Sequence, residues 1–145
     1  MSHHPLVIER IFDVPVTKVW DAITDNEHLK KWYFQIPDFK PIIGFGFSFS
    51  GGAKGEYKHL CTVTEVISGR KLTYSWRYDG YPGNSIVSFE LFEEGKKTKL
   101  KLTHSGLESF KNAGPDFAPE KFAEGWAYIL GTSLKGFLES QSERV

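Results

Sequence analysis

Few side chains in this sequence combine chemical capacity with a setting that could use it, and His104 heads them. In KLKLTHSGL it shares the apolar parity of Leu100 and Leu102, opposite Lys99, Lys101 and Thr103. A neutral imidazole there could donate to a guest molecule or act as a general base. The weightier reading is a structural histidine bonded to backbone or to a tyrosine. His59 and Cys61, two apart on one strand face, could place two metal ligands side by side, but no third or fourth ligand accompanies them. No serine–histidine–acid or cysteine–histidine pairing follows from the order of residues, so no catalytic residue and no metal site is assigned. Gly44 and Gly46 lack the third glycine and following helix of a dinucleotide loop, and GGAKG (Gly51 to Gly55) lacks the lysine–serine or lysine–threonine pair of a phosphate loop. No cofactor is expected. His3 and His4 read as a short polar N-terminus.

What remains is a set of large aromatics, and the elements that carry them explain how they would be used. The last stretch, from about Pro119 to about Gln141, predicts a helix. On a 3.6-residue wheel Phe122, Trp126, Ile129, Leu130, Ser133, Leu134, Phe137 and Leu138 gather with Ala123 and Ala127 into an arc of roughly half the circumference. That is too broad for one neighbouring helix and suits the hollow of a curved sheet. Gly125, Gly131 and Gly136 each cost roughly 1 kcal/mol against alanine in a helix, and they fall at the flanks of the arc, where a close strand could use the missing side chain. Ser133 is expected to bond back to the carbonyl four residues earlier.

The preceding chain reads mostly as strands. Leu6 to Asp13 alternates with mixed faces. Pro15 opens a short helix carrying Val16, Val19, Trp20 and Ile23, and Asp25 or Asn26 caps a second through Trp32, which Pro37 and Pro41 prevent from continuing. His28, beside Lys30 and Lys31, is expected on a solvated face. Phe45, Phe47 and Phe49 then alternate with small residues. Strands follow over Tyr57 to Ile67, Leu72 to Tyr78, Ile86 to Phe92 and Lys97 to Ser105, joined by turns at Ser68–Arg70, Asp79–Asn84 and Glu93–Gly95. Leu72, Tyr74, Trp76 and Tyr78 share a face, as do Val87, Phe89 and Leu91. Gly106 to Ala118 reads as a flexible connection, with Asp116 or Ala118 near the cap of the last helix. The result is an antiparallel α+β arrangement, wet on one sheet face and closed by the last helix on the other.

Length and composition bound the rest. The 145 residues read as one domain, 1–145, with 40% hydrophobic and 15% aromatic content for a core. Lysine plus arginine balance aspartate plus glutamate at 18 each, so nucleic acid and anionic membrane surfaces are not expected partners. The lysines at 96, 97, 99 and 101 read as a solvated strand face. One cysteine rules out an internal disulfide, and neither a membrane span nor a signal peptide is evident, so a cytoplasmic protein is expected.

VPVTKVWDAITDNEHLKKW, LTYSW, KLKLTHSGL and EGWAYILGTSLKGFLE together resemble the activator-of-heat-shock-protein-90-ATPase-like branch of the START/birch-pollen-allergen (SRPBCC) superfamily. The resemblance spans nearly the whole chain. It implies a helix-grip fold: a bent sheet curled around the C-terminal helix, first and last strands paired, short helices closing one end, and a cavity between. A dry void of about 300 Å³ would cost about 7 kcal/mol at ~24 cal/mol per Å³, so such a space must be filled by side chains, water or a guest. The expected function is binding of a small hydrophobic molecule (lipid, sterol or aromatic metabolite). Its lining is expected from Phe47, Phe49, Tyr74, Trp76, Tyr78, Phe89, His104, Trp126, Leu130, Ser133 and Phe137, although packing is the commoner role for any one of them. Two alternatives come with the resemblance. One is a chaperone-partner module tied to stress response, although full co-chaperones carry a further domain that these residues leave no room for. The other is a cyclase or hydrolase using the same cavity.

Overall fold

The computed structural model describes residues 5–33, 36, 39–51, 57–110, 114 and 117–142. His3, His4, Pro37, Asp116 and most of the GGAKG turn, all singled out in the sequence, lie outside the described residues. Six strands form one antiparallel sheet: β1 (Leu6–Phe12), β2 (Gly46–Gly51), β3 (Tyr57–Ile67), β4 (Lys71–Tyr78), β5 (Ser85–Glu94) and β6 (Lys97–Ser105). Their order across the sheet is β1-β6-β5-β4-β3-β2, so the first strand pairs with the last, Leu6 opposite His104 and Phe12 opposite Thr98. Alternation sets the faces. Phe47 and Phe49, Cys61 and Val63, Tyr74 and Trp76, Val87 and Phe89, Leu100 and Leu102 all turn inward and are buried. β1 resolves its ambiguity with Phe12 buried and Val7 and Ile11 exposed. A register shift between Val63 and Glu65 interrupts the β3–β4 ladder, a device that bends a strand and increases its twist.

Helices α1 (Val16–Thr24) and α2 (Asn26–Trp32) turn the corner after β1. Asp25 is the cap of α2, accepting from the backbone N–H groups of Glu27 at 2.8 Å and His28 at 3.4 Å. Trp32 Nε1 donates to the Ala22 carbonyl at 2.7 Å and locks the two helices together. His28 is half-buried rather than solvated, its ring 5.3 Å from that of Phe137, because the last helix packs beside α2.

The closing helical run has three parts: α3 (Pro119–Tyr128), a π-helical stretch over Ile129–Leu134, and α4 (Lys135–Ser142). Its buried residues, Phe122, Trp126, Leu130, Leu134 and Leu138, recur every fourth position. On a pure α-helix such a stripe drifts by about 40° per step. The wider π turn in the middle takes back part of that drift and holds the stripe on the sheet. The buried arc is accordingly narrower than the wheel suggested, with Ile129, Ser133 and Phe137 only half-buried. Ser133 bonds outward from its helix: its hydroxyl donates to the Trp32 carbonyl at 2.5 Å, satisfying the end of α2. Gly125 and Gly136 face open space rather than a strand, and only Gly131 lies against β1, with the Arg10 Nε 3.5 Å from where a Cβ would stand.

The connection after β6 is more ordered than its composition implied. Leu107–Phe110 forms a 3₁₀ turn with Leu107 and Phe110 buried, and Phe117 is buried beyond it. Gly83, at φ 109°, has no room for a side chain: a Cβ there would meet the Phe110 ring and the Ser109 carbonyl.

Candidate ligand-binding site

The space between sheet and closing helix divides by chemistry. One end is aliphatic: Leu72, Leu91, Leu100, Leu102, Val19, Ile23, Leu134 and Leu138 are buried there, and α1 packs on β5, β6 and α4 to close it. The other end is aromatic. Running along β4 toward Tyr78, aliphatic Leu72 gives way to Tyr74, Trp76 and Tyr78, and the neighbouring strands supply Phe47, Phe49 and His59. Segments outside the sheet and long helices cover this end with Tyr33, Phe39, Phe45, Phe110 and Phe117.

The structure brings eight of the nominated residues into one network of rings. Phe47 lies 6.3 Å from Phe49 and 5.1 Å from Tyr74; Phe49 is 5.6 Å from Trp76; Trp76 is 5.5 Å from both His104 and Trp126 and 6.4 Å from Tyr78; Phe89 is 5.8 Å from Trp126. These rings are buried and in contact with one another. Leu130 is buried on the π stretch, while Ser133 is engaged with α2 and Phe137 sits beside His28, outside the ring network. Sequence reasoning did not nominate Tyr33, Phe39, Phe45, Phe110 or Phe117. Except for Phe45, next to a strand, they lie where no periodicity marks a face, and aromatic density was the only available signal.

His104 is fully buried and held by a chain of hydrogen bonds across four elements. Trp126 Nε1 donates to its Nδ1 at 3.0 Å, its Nε2 is 2.8 Å from Ser85 Oγ, and Ser85 donates to the Trp76 carbonyl at 2.7 Å. An indole nitrogen can only donate, and the one hydrogen of Ser85 is committed, so the network assigns the proton of His104 to Nε2. Burial lowers its pKa from 6.5 to about 3, which keeps the ring neutral. The Nδ1 lone pair that a general base would use is already engaged.

The other interior groups are uncharged as well. His59, stacked 4.5 Å from Phe49, is lowered to about 4 by burial, and burial raises the Cys61 thiol far from thiolate formation. Burial likewise raises the phenols of Tyr33, Tyr74 and Tyr78. Tyr33 and Tyr74 share a hydrogen bond of 2.8 Å, and Trp76 Nε1 donates to the Tyr78 hydroxyl at 2.9 Å. Among the described residues no group of three or more His, Cys, Asp or Glu could hold a metal ion. A separate surface pocket of about 240 Å³ opens between the end of β1 and α4, lined by Ile11 to Val14, Lys135, Leu138 and Glu139. It touches none of the aromatic network, and its charged rim offers no matching set of donors.

An antiparallel sheet curved around a C-terminal helix, with two short helices after the first strand, defines the helix-grip class, the SRPBCC fold. Within it, the sequence pattern described as "Activator of Hsp90 ATPase homolog 1-like protein" matches residues 13–139, and the chain belongs to that family. Members of this fold commonly bind hydrophobic ligands. The protein BH1534 of Bacillus halodurans is similar at 28% identity and a TM-score of 0.76, covering 95% of this chain and 99% of its own. CalU16 from Micromonospora echinospora shares 28% identity at a TM-score of 0.70, over 97% of this chain and 79% of its own. DynU16, from the dynemicin biosynthetic locus, shares the fold at 21% identity and a TM-score of 0.77, over 97% of this chain. The present chain spans about half of DynU16, 49% of its length. No curated protein matches this chain in sequence. No described helix is long and apolar enough to cross a membrane.

Proposed function

We propose that this protein binds a small, uncharged hydrophobic molecule, a lipid, sterol or aromatic metabolite, at the aromatic end of the space between the curved sheet and the closing helix. The carrying observation is the division of the core: aliphatic where helices seal it, and aromatic with phenol and indole groups where other segments cover it. Aromatic faces offer large contact area to a flat guest, and the hydroxyls orient it. Because the rings touch one another, a guest that lies among them displaces a side chain. The engaged Nδ1 of His104 speaks against a hydrolase that would use this ring as its base.

The test is a thermal-shift screen with lipids, sterols and polycyclic aromatics, followed by indole NMR shifts of Trp76 and Trp126. A guest at 100 times its dissociation constant stabilises the folded state by about 2.7 kcal/mol. A panel that moves neither the melting temperature nor either indole signal would remove this reading.

A further inference from the structure

We propose that the Tyr33 side chain stands in the place of the guest: a hydroxyaromatic ring displaces it, lies between Phe49 and Trp126, and takes over its hydrogen bond to Tyr74. The inference rests on the binding role proposed above and names the chemistry of the molecule bound.

Tyr33 is the residue at which α2 ends, its N–H donating to the Leu29 carbonyl at 2.8 Å. Its backbone thus belongs to neither the sheet nor the closing helix, while its ring reaches into the gap between them. It stacks at 6.1 Å and 22° on Trp126, lies 6.0 Å from Phe49 on the edge strand β2, and bonds the Tyr74 hydroxyl at 2.8 Å. Only partly buried as a residue, it nonetheless carries its phenol into the interior. The slot it fills thus connects the surface to the aromatic wall. Two aromatic walls and a phenolic hydroxyl at the far end describe a flat ring with one hydrogen-bonding substituent. No carboxylate or cationic side chain is buried among the described residues, so none of them offers a buried counter-ion to a charged substituent. A guest and Tyr33 cannot occupy the slot together, and the energy holding Tyr33 in place is subtracted from the guest's affinity.

The test compares 2-naphthol, naphthalene and 2-naphthoate with the wild-type protein and with Tyr33→Phe and Tyr74→Phe. Expected results are that 2-naphthol binds in preference to naphthalene and that 2-naphthoate does not bind. At saturation, NOEs between the Tyr33 ring and the Trp126 indole vanish and NOEs from 2-naphthol to Phe49 and Trp126 replace them. Tyr33→Phe keeps the ring but removes its hydrogen bond, and should tighten 2-naphthol binding by about 2–10-fold. Tyr74→Phe should cancel most of the preference for 2-naphthol over naphthalene. Guest bound with the Tyr33–Trp126 NOEs intact, or a folded Tyr33→Phe protein that binds no tighter, overturns the displacement while leaving the binding role standing. If no naphthalene binds either folded protein, the displacement also falls, and the lipid and sterol arms of the wider screen decide the binding role independently.

Discussion

At the scale of single residues, the interior is built to stay neutral, and two histidines make that measurable. Unfolded, His59 and His104 titrate near 6.5; folded, they are lowered to about 4 and about 3 by burial. As pH falls below about 6.5 the unfolded chain takes up protons that the folded chain refuses, so stability declines with falling pH. The slope is about 1.4 kcal/mol per pH unit for each histidine, fully developed between about pH 5.5 and 4.5. Urea unfolding at about pH 7.5, 6 and 5 measures it; a flat profile would mean that the folded protein protonates these rings. His104→Ala should cost about 3–5 kcal/mol, because it opens a hole and leaves the Trp126 indole N–H without its acceptor. Strand parity put His104 inside, but the engagement of both its nitrogens was not legible. Ser85 and Trp126 lie 19 and 22 residues away, and only the folded sheet and helix bring them together.

At the scale of elements, the closing helical run shows where local rules hold and where they yield. Gly125 and Gly136 face open space, so neither is required by a close strand. Gly125→Ala and Gly136→Ala should each stabilise the protein by about 0.5–1 kcal/mol through helix propensity alone, read as a rise in urea midpoint. Ser133→Ala should cost about 1 kcal/mol and speed hydrogen exchange in α2, whose last carbonyl it satisfies. No change in α2 exchange would show that the bond contributes nothing. The wheel identified the buried stripe but placed Ser133 and Phe137 too centrally, because the π turn rotates everything after Tyr128 relative to an ideal helix.

For the whole molecule, stability comes from one face of the sheet gripping one stripe of helix. Leu134→Ala, at a fully buried position, should cost about 2–5 kcal/mol in chemical denaturation, whereas exposed Tyr128→Ala should change little. The described ion pairs are at least partly exposed and contribute little, so the melting temperature should hardly respond to salt. The proposed binding belongs to the same scale: a guest that replaced Tyr33 would leave the helix-sealed aliphatic end undisturbed and rearrange only the aromatic end.

By itself the sequence determined the strand and helix periods, the inward faces of β4, β5 and β6, a cap for α2 at Asp25 or Asn26, and an antiparallel sheet closed on one face by the last helix. All of these depend on residues a few positions apart. Only the tertiary structure decided that Tyr33, Phe39, Phe110 and Phe117 complete the aromatic end, and that its rings pack against one another. Those contacts join irregular segments far apart in the chain, where side-chain direction follows from packing rather than from any local repeat.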